Sequence, residues 1–365
     1  MESIYYVMAW ACHRKCRHCY EDRFRPYVRG ALDAVVQEAE RNFPRIVANL
    51  PARHTYLDTA APAPDGTFPE KIGRIILSGG ESLLDAVRER VTFPVIDALR
   101  DKYAAQGGVK IVVQTTGDIL TDAIVDDLLA RGVWMISVAS VDDFHVGLEG
   151  PERQRAFVDR LTDLFVRHGM RQSGLGAVQR NWLEEPGPLF SFFGATPDSW
   201  IGKLWPRGRA WQNNLSHATL ADNFCNRWSG GLDFLRHRYN GSEVSIEPDG
   251  AVYPCCIKTK LPLGNLCEEN LIDILDSLVA QVDLVYHLAA VVGVEHYVGD
   301  PYEVLNVNVN GTQNVLKVAF KYHRKVVFSS TSEVYGRNPK LPWAEDDDRV
   351  LGSTKIDRWC YSTSK

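Results

Sequence analysis

One stretch decides how the N-terminal part of this 365-residue chain is interpreted: Ile4-Tyr5-Tyr6-Val7-Met8-Ala9-Trp10-Ala11-Cys12-His13-Arg14-Lys15-Cys16-Arg17-His18-Cys19. Its apolar first half predicts a β-strand, and three cysteines follow with the spacing Cys-x3-Cys-x2-Cys. Every residue between them is His, Arg or Lys, and cationic neighbours lower the pKa of a thiol and favour the thiolate that binds metal. Four thiolates close a structural site, whereas three leave one metal position open. We therefore expect a catalytic metal cluster in the loop after the first strand, where reactive groups collect in barrel-like α/β folds.

Two other interpretations of the cysteines remain open. On a helix, positions 12, 16 and 19 would share one face and could be buried, although five basic or imidazole side chains between them argue against this. A Cys3His zinc site that uses His13 or His18 is the stronger alternative. Disulfides are not expected, because three clustered cysteines leave one unpaired and nothing marks the chain as secreted.

The composition excludes several classes of protein. A net charge of −5 and a pI near 6.1 give no reason to expect nucleic acid or an acidic membrane as a partner. The longest apolar stretches, such as residues 285–294, are too short to span a bilayer, and the N-terminus lacks the regions of a signal peptide. Eight cysteines without a secretion signal indicate a reducing compartment and metal binding, so we expect a cytoplasmic protein.

The cysteine motif resembles the signature of the radical SAM superfamily, Cys-x3-Cys-x-aromatic-Cys, with His18 in the aromatic position. The resemblance implies that Cys12, Cys16 and Cys19 bind a [4Fe–4S] cluster and that His18 lies in the cofactor site. It also implies that the fourth iron chelates S-adenosylmethionine (SAM). One electron, from an external donor of the flavodoxin or ferredoxin type, would cleave SAM to a 5′-deoxyadenosyl radical that abstracts a hydrogen atom from the substrate.

A second motif, Gly79-Gly80-Glu81, follows the strand-like residues 71–77. Two glycines let the backbone approach a ligand closely, and a carboxylate after them can accept hydrogen bonds from an ammonium group. A plain turn is the alternative. The motif resembles the Gly-Gly-Glu element of the radical SAM family, which holds the amino group of SAM.

Strand-like and helix-like segments then alternate, which predicts a parallel sheet. The resemblance implies a partial (β/α)6 barrel, open on one side, within an overall α/β fold. Strand-end residues Thr115, Thr116, Ser137 and Asp142 could line the site, with Thr116 and Ser137 near the cofactor, or could cap the following helices. We predict helices at residues 31–50, 82–103, 120–130 and 151–168, strands at 110–114, 133–138 and near 174–179, and an inserted surface loop at 51–70.

From residue 181 to 228 the periodicity fades and aromatic residues accumulate. Within this stretch, Pro206-Arg207-Gly208-Arg209-Ala210 resembles a Gly-Arg element of radical SAM proteins with C-terminal extensions. A solvated basic loop is the alternative.

Residues 244–267 predict a small cysteine-containing extension. Strand-like residues flank the hairpin turn Pro248-Asp249-Gly250, and a Gly-Asn pair follows. The pattern resembles the SPASM or twitch extension, which carries auxiliary iron–sulfur clusters, although no further cysteine set follows. A cluster-free remnant is the alternative. We predict a barrel domain at 1–220 and an extension at 221–280, and the possible auxiliary ligands are Cys225, Cys255, Cys256 and Cys267.

The last 85 residues, about 281–365, change character. The strand-like residues 282–286 and 325–328, the Asn-rich start of a helix at 306–316, and Tyr361-x3-Lys365 resemble an extended short-chain dehydrogenase/reductase of the nucleotide-sugar epimerase and decarboxylase type. The resemblance implies that Tyr361, Lys365 and Thr331 (or Ser332) perform acid–base chemistry during hydride transfer to NAD.

Parts of that second family are missing. No glycine-rich turn, which would hold the NAD pyrophosphate, precedes residue 282, and the substrate segment expected after Lys365 is absent. We therefore expect an incomplete Rossmann-like α/β fragment that does not bind NAD. The sequence leaves the substrate open as a peptide or a small molecule, with no nucleic-acid or membrane partner. The other function classes are a bifunctional enzyme with epimerase activity and a zinc-bound structural module.

Overall fold

The structure is a computed structural model. It describes residues 1–57, 69–173, 185–195, 204, 206–216, 243–256, 258–288, 290–293 and 298–365. These form two compact units, the first reaching Ile272 and the second running from Asp273 onward. The predicted boundary at 220 lies outside the described residues, and both predicted domain boundaries stay predictions.

The first unit alternates strands and helices. Its strands are β1 Ser3–Val7, β2 Thr55–Leu57, β3 Glu70–Ile72, β4 Arg74–Ser78, β5 Lys110–Thr115, β6 Met135–Val138, β7 Arg171–Gln172, β8 Leu189–Phe192, β9 Glu243–Ile246, β10 Ala251–Tyr253 and β11 Gly264–Asn265. Its helices are α1 Arg29–Ala48, α2 Phe93–Tyr103, α3 Asp122–Ala130, α4 Pro151–Arg167 and α5 Gly208–Gln212, and α6 Leu271–Ser277 begins at its end.

One sheet dominates the first unit, with the order β11-β10-β9-β1-β4-β5-β6-β8-β7. From β1 to β8 consecutive strands pair in parallel, for example with Tyr6 opposite Leu77. On the other side β1 pairs in parallel with β9, and β9, β10 and β11 are antiparallel. In the described part of the chain β7 and β11 are the two ends of this sheet, which is therefore open. The predicted α/β class with a parallel sheet is confirmed.

The central strands are apolar because helices and loops cover them, as expected for a parallel sheet. Ile4 and Ile75 are completely buried in β1 and β4, and Val113 is buried in β5. Helices α1 and α4 each bury one stripe of side chains: Val36, Ala39, Ile46 and Val47 in α1, and Phe157, Leu161, Leu164 and Phe165 in α4.

The structure differs from the sequence predictions at two strands. The single strand predicted at 71–77 is divided at Gly73: β3 pairs back with β2, and β4 enters the main sheet. A side chain at Gly73 would place its Cβ 2.6 Å from Nε2 of His54, so the buried ring occupies that space. The prediction that residues 181–228 lack regular secondary structure is wrong for β8, whose aromatic residues pair with β6. The strand predicted near 174–179 lies outside the described residues.

The second unit contains a parallel pair of strands, β12 Leu284–His287 and β13 Lys325–Phe328, with Tyr286 opposite Val327. Its remaining helices are α7 Pro301–Leu305, α8 Gly311–Lys321 and α9 Trp359–Ser364. Val304 and Tyr361 form its small buried cluster, whereas Phe320 is 80% exposed. No helix in the described part of the chain is both long and apolar enough to cross a bilayer.

Candidate cofactor site

The three cysteines lie in the loop after β1, as the sequence predicts. We call residues 8–28, between β1 and α1, the cysteine loop. Cys12 and Cys16 are buried and Cys19 is half-buried. The amide of Cys12 donates to the carbonyl of Arg25 (3.1 Å), and the amide of Cys19 donates to that of Cys16 (3.3 Å). The thiols therefore occupy a folded loop, not one face of a helix.

The spacing of the thiols bears on which metal group they fit. Among the described residues, the sets of three ligand atoms within 4.8 Å of one another are His18–Asp142–His145 and His13–Glu81–Asp118, and the three cysteines form no such set. Thiolates around one tetrahedral zinc lie about 3.8 Å apart, from a Zn–S bond of about 2.3 Å. In the metal-free chain the three thiols are therefore not arranged as the ligands of a single zinc ion.

Burial, not charge, determines the state of these thiols in the metal-free chain. It raises the pKa of Cys12 to about 12 and that of Cys16 to about 11. The expected net lowering of thiol pKa by cationic neighbours is wrong for these two, because burial outweighs the lowering effect of Arg14 and Arg209 on Cys16. Lys15 and Arg17 extend into solvent. Metal binding must therefore release the thiol protons.

Gly79-Gly80-Glu81 lies directly against the cysteine loop. The amide of Gly80 donates to the carbonyl of Ala9 (3.3 Å), and the amide of Glu81 donates to that of Ala11 (2.9 Å). A Cβ on Gly80 would meet the carbonyl oxygen of Ala11 at 2.2 Å and Cβ of Cys12 at 2.8 Å. The second glycine is therefore required for the close approach of the two motifs.

The carboxylate of Glu81 is buried and accepts four hydrogen bonds. Oε1 accepts from the Thr115 hydroxyl (2.8 Å) and the Leu83 amide (3.0 Å). Oε2 accepts from the amide (2.7 Å) and the hydroxyl (2.6 Å) of Thr116. The Thr116 hydroxyl also contacts the carboxylate of Asp118. A hydroxyl has one proton, so Thr116 can donate to only one of these two carboxylates at a time.

A polar cluster that the sequence did not reveal surrounds Asp118. Its carboxylate accepts from Arg14 (2.7 Å) and pairs with Nε2 of His13 (2.7 Å). Burial opposes the charge of Asp118, but the hydrogen bonds from His13, Thr116 and Arg14 outweigh it and hold the pKa well below its usual range. The cluster fixes the first half of the cysteine loop to the end of β5.

The second half of the loop meets the segment after β6. The ring of His18 lies 5.3 Å from that of Phe144 and 4.6 Å from that of His145, and its Nδ1 is buried without a hydrogen-bond partner in the described part of the chain. Burial lowers the pKa of His18 to about 4, so the ring is neutral. Asp142 accepts from Nδ1 of His145 (2.8 Å). Ser137 lies within β6 instead, where its hydroxyl bonds that of Ser191 (2.9 Å).

The cysteines of the extension have separate partners. The Cys256 thiol donates to the carboxylate of Glu243 (3.6 Å), whose pKa burial raises to about 7. The Cys267 thiol donates to the carbonyl of Asp249 (3.6 Å). Cys255 is half-buried, and Cys225 lies outside the described residues. An auxiliary cluster stays a prediction.

A buried ion-pair network joins the cysteine loop to the hairpin of the extension. Glu21 accepts from Arg23 (2.8 Å), Arg207 (2.8 Å) and Lys258 (3.1 Å). Glu247 accepts from Arg23 (3.1 Å) and also pairs with Lys258. Burial would raise the pKa of Glu21, but Arg23 and Lys258 hold it at about 2. Sequence reasoning missed this network because its members come from three distant segments.

In the second unit, the residues that resemble dehydrogenase groups are engaged within the protein. The Lys365 ammonium donates to the carbonyl of Ser329 (2.9 Å), and the Thr331 hydroxyl accepts from the amide of Glu333 (3.3 Å). Tyr361 is buried against Val304. Ser332 begins a short 3-10 turn.

Comparison with known proteins finds sequence similarity at the C-terminal end. The sequence model of the NAD dependent epimerase/dehydratase family matches residues 237–365. UDP-N-acetyl-alpha-D-glucosaminuronate decarboxylase of Bacillus cytotoxicus is 47% identical over 88 residues, which are 24% of this chain and 27% of that protein. The chain thus spans about a quarter of the length of this curated relative.

Solved structures resemble the larger part of the chain. The crystal structure of BtrN in complex with AdoMet and 2-DOIA is 15% identical, with 75% of this chain and 81% of that chain covered and a TM-score of 0.36. Native anSMEcpe with bound AdoMet and Cp18Cys peptide is 13% identical, with 74% and 79% covered and a TM-score of 0.40. Both of these solved structures contain bound AdoMet, which is SAM.

Proposed function

We propose that the first unit is a radical SAM enzyme. The observation that carries the proposal is the contact between its two motifs: Gly80 lies against Ala11 and Cys12, and Glu81 bonds the main chain of the cysteine loop. A plain turn would not need this close approach. The three thiols are not spaced as the ligands of a single zinc ion in the described structure.

In this proposal Cys12, Cys16 and Cys19 hold a [4Fe–4S] cluster, and Gly79, Gly80 and Glu81 hold the amino group of SAM. When bound, the two groups supply reductive cleavage of SAM and abstraction of a hydrogen atom from the substrate. The protein contributes binding and orientation. The Nδ1 of His18 is buried and has no hydrogen-bond partner among the described residues, so it is a polar atom that a cofactor could satisfy.

The chain provides a way for Glu81 to receive an ammonium group. All four of its acceptor positions are used, but the Thr116 hydroxyl lies within reach of Asp118 as well. Rotation of that hydroxyl toward Asp118 frees one lone pair on Oε2 without leaving the hydroxyl unbonded. We propose this exchange as the step that admits the amino group.

The substrate class and the electron source are also proposals. The hairpin extension beside the cysteine loop supports a peptide or a small metabolite, as in radical SAM proteins with such extensions, and an external flavodoxin or ferredoxin would supply the electron. The cysteines that the structure describes form no disulfide bonds with one another, which suits the reducing cytoplasm.

The proposal is tested by anaerobic reconstitution with iron and sulfide. We expect about four iron and four sulfide per chain if no auxiliary cluster forms, and more if one does. A Cys16→Ala variant should lose the cluster, whereas Cys360→Ala, a matched change in the second unit, should not. Zinc without iron and sulfide would support the structural-module alternative and contradict the proposal.

For the second unit we propose that it does not bind NAD within this chain. The 47% identity to a sugar-nucleotide decarboxylase favours a related origin. Its described part, however, supplies only two parallel strands, and no glycine-rich turn precedes them in the sequence. Calorimetric titration of the full chain with NAD should give no binding; tight binding would support the bifunctional alternative.

A further inference from the structure

The guanidinium of Arg209 binds the main chain of the cysteine loop at three points. Its nitrogens donate to the carbonyl oxygens of Cys16 (2.8 Å), Asp22 (3.0 Å) and Phe24 (2.7 Å). The side chain is buried, with 7% of the residue exposed. These contacts exclude the solvated basic loop that was the alternative for residues 206–210.

Neighbouring residues of the same segment bind two more carbonyls of the loop. The amide of Ala210 donates to the carbonyl of Cys19 (3.2 Å), and the side-chain amide of Asn213 donates to that of Arg17 (2.8 Å). We call residues 208–213 the clasp. It satisfies main-chain acceptors between Cys16 and Phe24, and a loop without such donors would have to open to water.

Gly208 gives the clasp its position. Its φ is +57°, and a Cβ there would lie 2.3 Å from the carbonyl carbon of Tyr20 and 2.7 Å from the nitrogen of Glu21. The backbone of the clasp therefore touches the backbone of the loop, and a larger residue would separate them.

Charge provides a second, independent observation. A buried cation is costly unless an anion balances it. Among the described residues, the partners of the Arg209 guanidinium are neutral carbonyls, and no carboxylate forms an ion pair with it. Cys16 supplies one of those carbonyls, so the positive charge lies against the main chain of a residue whose thiol becomes negative when it binds metal.

We propose that Arg209 is a positioning residue that holds the cysteine loop in its metal-binding form before the metal arrives, and that its charge offsets the thiolates once a cluster is bound. The charge role rests on the proposed function, whereas the positioning role concerns the metal-free chain alone.

Cysteine alkylation in the full metal-free chain tests the positioning role. Iodoacetamide labelling of Cys16 and Cys19, followed by peptide mass spectrometry, should be about tenfold faster or more in Arg209→Met, because three hydrogen bonds from a charged group are lost. Gly208→Ala, which moves the clasp without changing charge, should also accelerate labelling. Arg17→Met, an exposed arginine of the same loop, is the matched control and should label at the wild-type rate.

The midpoint potential of the reconstituted cluster tests the charge role. Removal of a nearby positive charge makes a cluster harder to reduce, so Arg209→Met should shift the potential to a more negative value. Arg209→Lys keeps the charge but lacks the planar fork that reaches three carbonyls. It should therefore restore the potential while labelling faster than wild type.

Unchanged labelling in Arg209→Met, or equal acceleration in Arg17→Met, would overturn the positioning role. If Arg209→Met does not fold, labelling of Arg209→Lys and Gly208→Ala decides instead. An unchanged potential would overturn the charge role. Failure of the wild-type chain to bind any cluster would remove the charge role together with the proposed function, while labelling would still decide the positioning role.

Discussion

The backbone amide of Glu81 donates a hydrogen bond of 2.9 Å to the carbonyl oxygen of Ala11. This bond joins the Gly-Gly-Glu turn after β4 to the residue that precedes the first cysteine. The two motifs lie nearly seventy residues apart in the sequence, and the parallel pairing of β1 with β4 brings their ends to the same edge of the sheet. The cysteine loop and the Gly-Gly-Glu turn therefore lie together at that edge.

The first prediction concerns this close approach. Gly80→Ala places a Cβ 2.2 Å from the carbonyl oxygen of Ala11, so the cysteine loop must shift. We expect a loss of unfolding free energy of about 2 kcal/mol, the usual scale of overpacking, and weaker cluster retention. Gly30→Ala is the control, because nothing lies within 4 Å of the position that its Cβ would take. Wild-type stability and iron content in Gly80→Ala would contradict the role of this contact.

The second prediction separates Glu81 from Thr116. Glu81→Gln removes the charge that would hold the SAM ammonium, and we expect the Kd for SAM to rise about tenfold or more. Thr116→Val keeps the amide bond to Glu81 and removes only the competing hydroxyl. Its Kd should therefore change by less than about threefold, because a lost competing donor costs the complex little. Isothermal titration of the reconstituted protein measures both; a large loss in Thr116→Val would mean that the hydroxyl itself holds the ligand.

The third prediction is a dependence of stability on pH through His54. Burial lowers its pKa to about 4 in the folded protein, below the ordinary value near 6.5. As the pH falls, His54 is therefore protonated in the unfolded chain before it is protonated in the folded protein. The stability contributed by its neutral form is complete above pH 6.5 and is lost as the pH falls toward 4. The shift corresponds to roughly 3 kcal/mol.

Thermal denaturation between pH 7 and pH 4 measures this effect. His54→Gln keeps a donor for the carbonyl of Arg74 and should show a shallower acid loss than the wild type. His168→Gln is the control, since that half-buried ring pairs with Asp122 and has a raised pKa, the opposite direction to His54. An identical acid profile in His54→Gln and wild type would refute the assignment.

The fourth prediction concerns the ion-pair network beneath the cysteine loop. Lys258→Met leaves Glu247 with Arg23 as its cation and removes one partner of Glu21. Both carboxylates keep an arginine partner, but Glu21 loses a charged hydrogen bond in a largely buried site, so we expect a decrease in unfolding free energy of about 2 kcal/mol. Lys260→Met, an exposed lysine two positions away, should have no measurable effect. Equal denaturation midpoints in both variants would show that the network contributes nothing.

The sequence predicts those parts of the fold that depend on local pattern. Alternating apolar segments identify β1, β5, β6 and the helices between them, because burial on both faces makes a strand apolar throughout. Strand β8 escaped prediction, since Leu189–Phe192 is short and lies among glycines and prolines that suggest a loop. Its pairing with β6 is a tertiary effect that no local pattern records.

The site is likewise only partly readable. Residue spacing identifies the cysteines and the Gly-Gly-Glu turn, because both motifs are contiguous in sequence. The positions of Asp118, Arg209 and Lys258 depend on contacts between distant segments. The sequence alone does not distinguish an arginine that binds buried carbonyls from one that lies in solvent. Thiol pKa was misjudged for the same reason, since the sequence shows that cationic residues are nearby but not that Cys12 and Cys16 are buried.

The most direct test of the central claim is the formation of 5′-deoxyadenosine by the reconstituted full chain after addition of dithionite and SAM. We predict that the wild type and Cys360→Ala release it and that Cys16→Ala does not. Absence of 5′-deoxyadenosine from the iron-loaded wild type, or equal release by Cys16→Ala, would contradict the assignment of the cysteine loop as a radical SAM site.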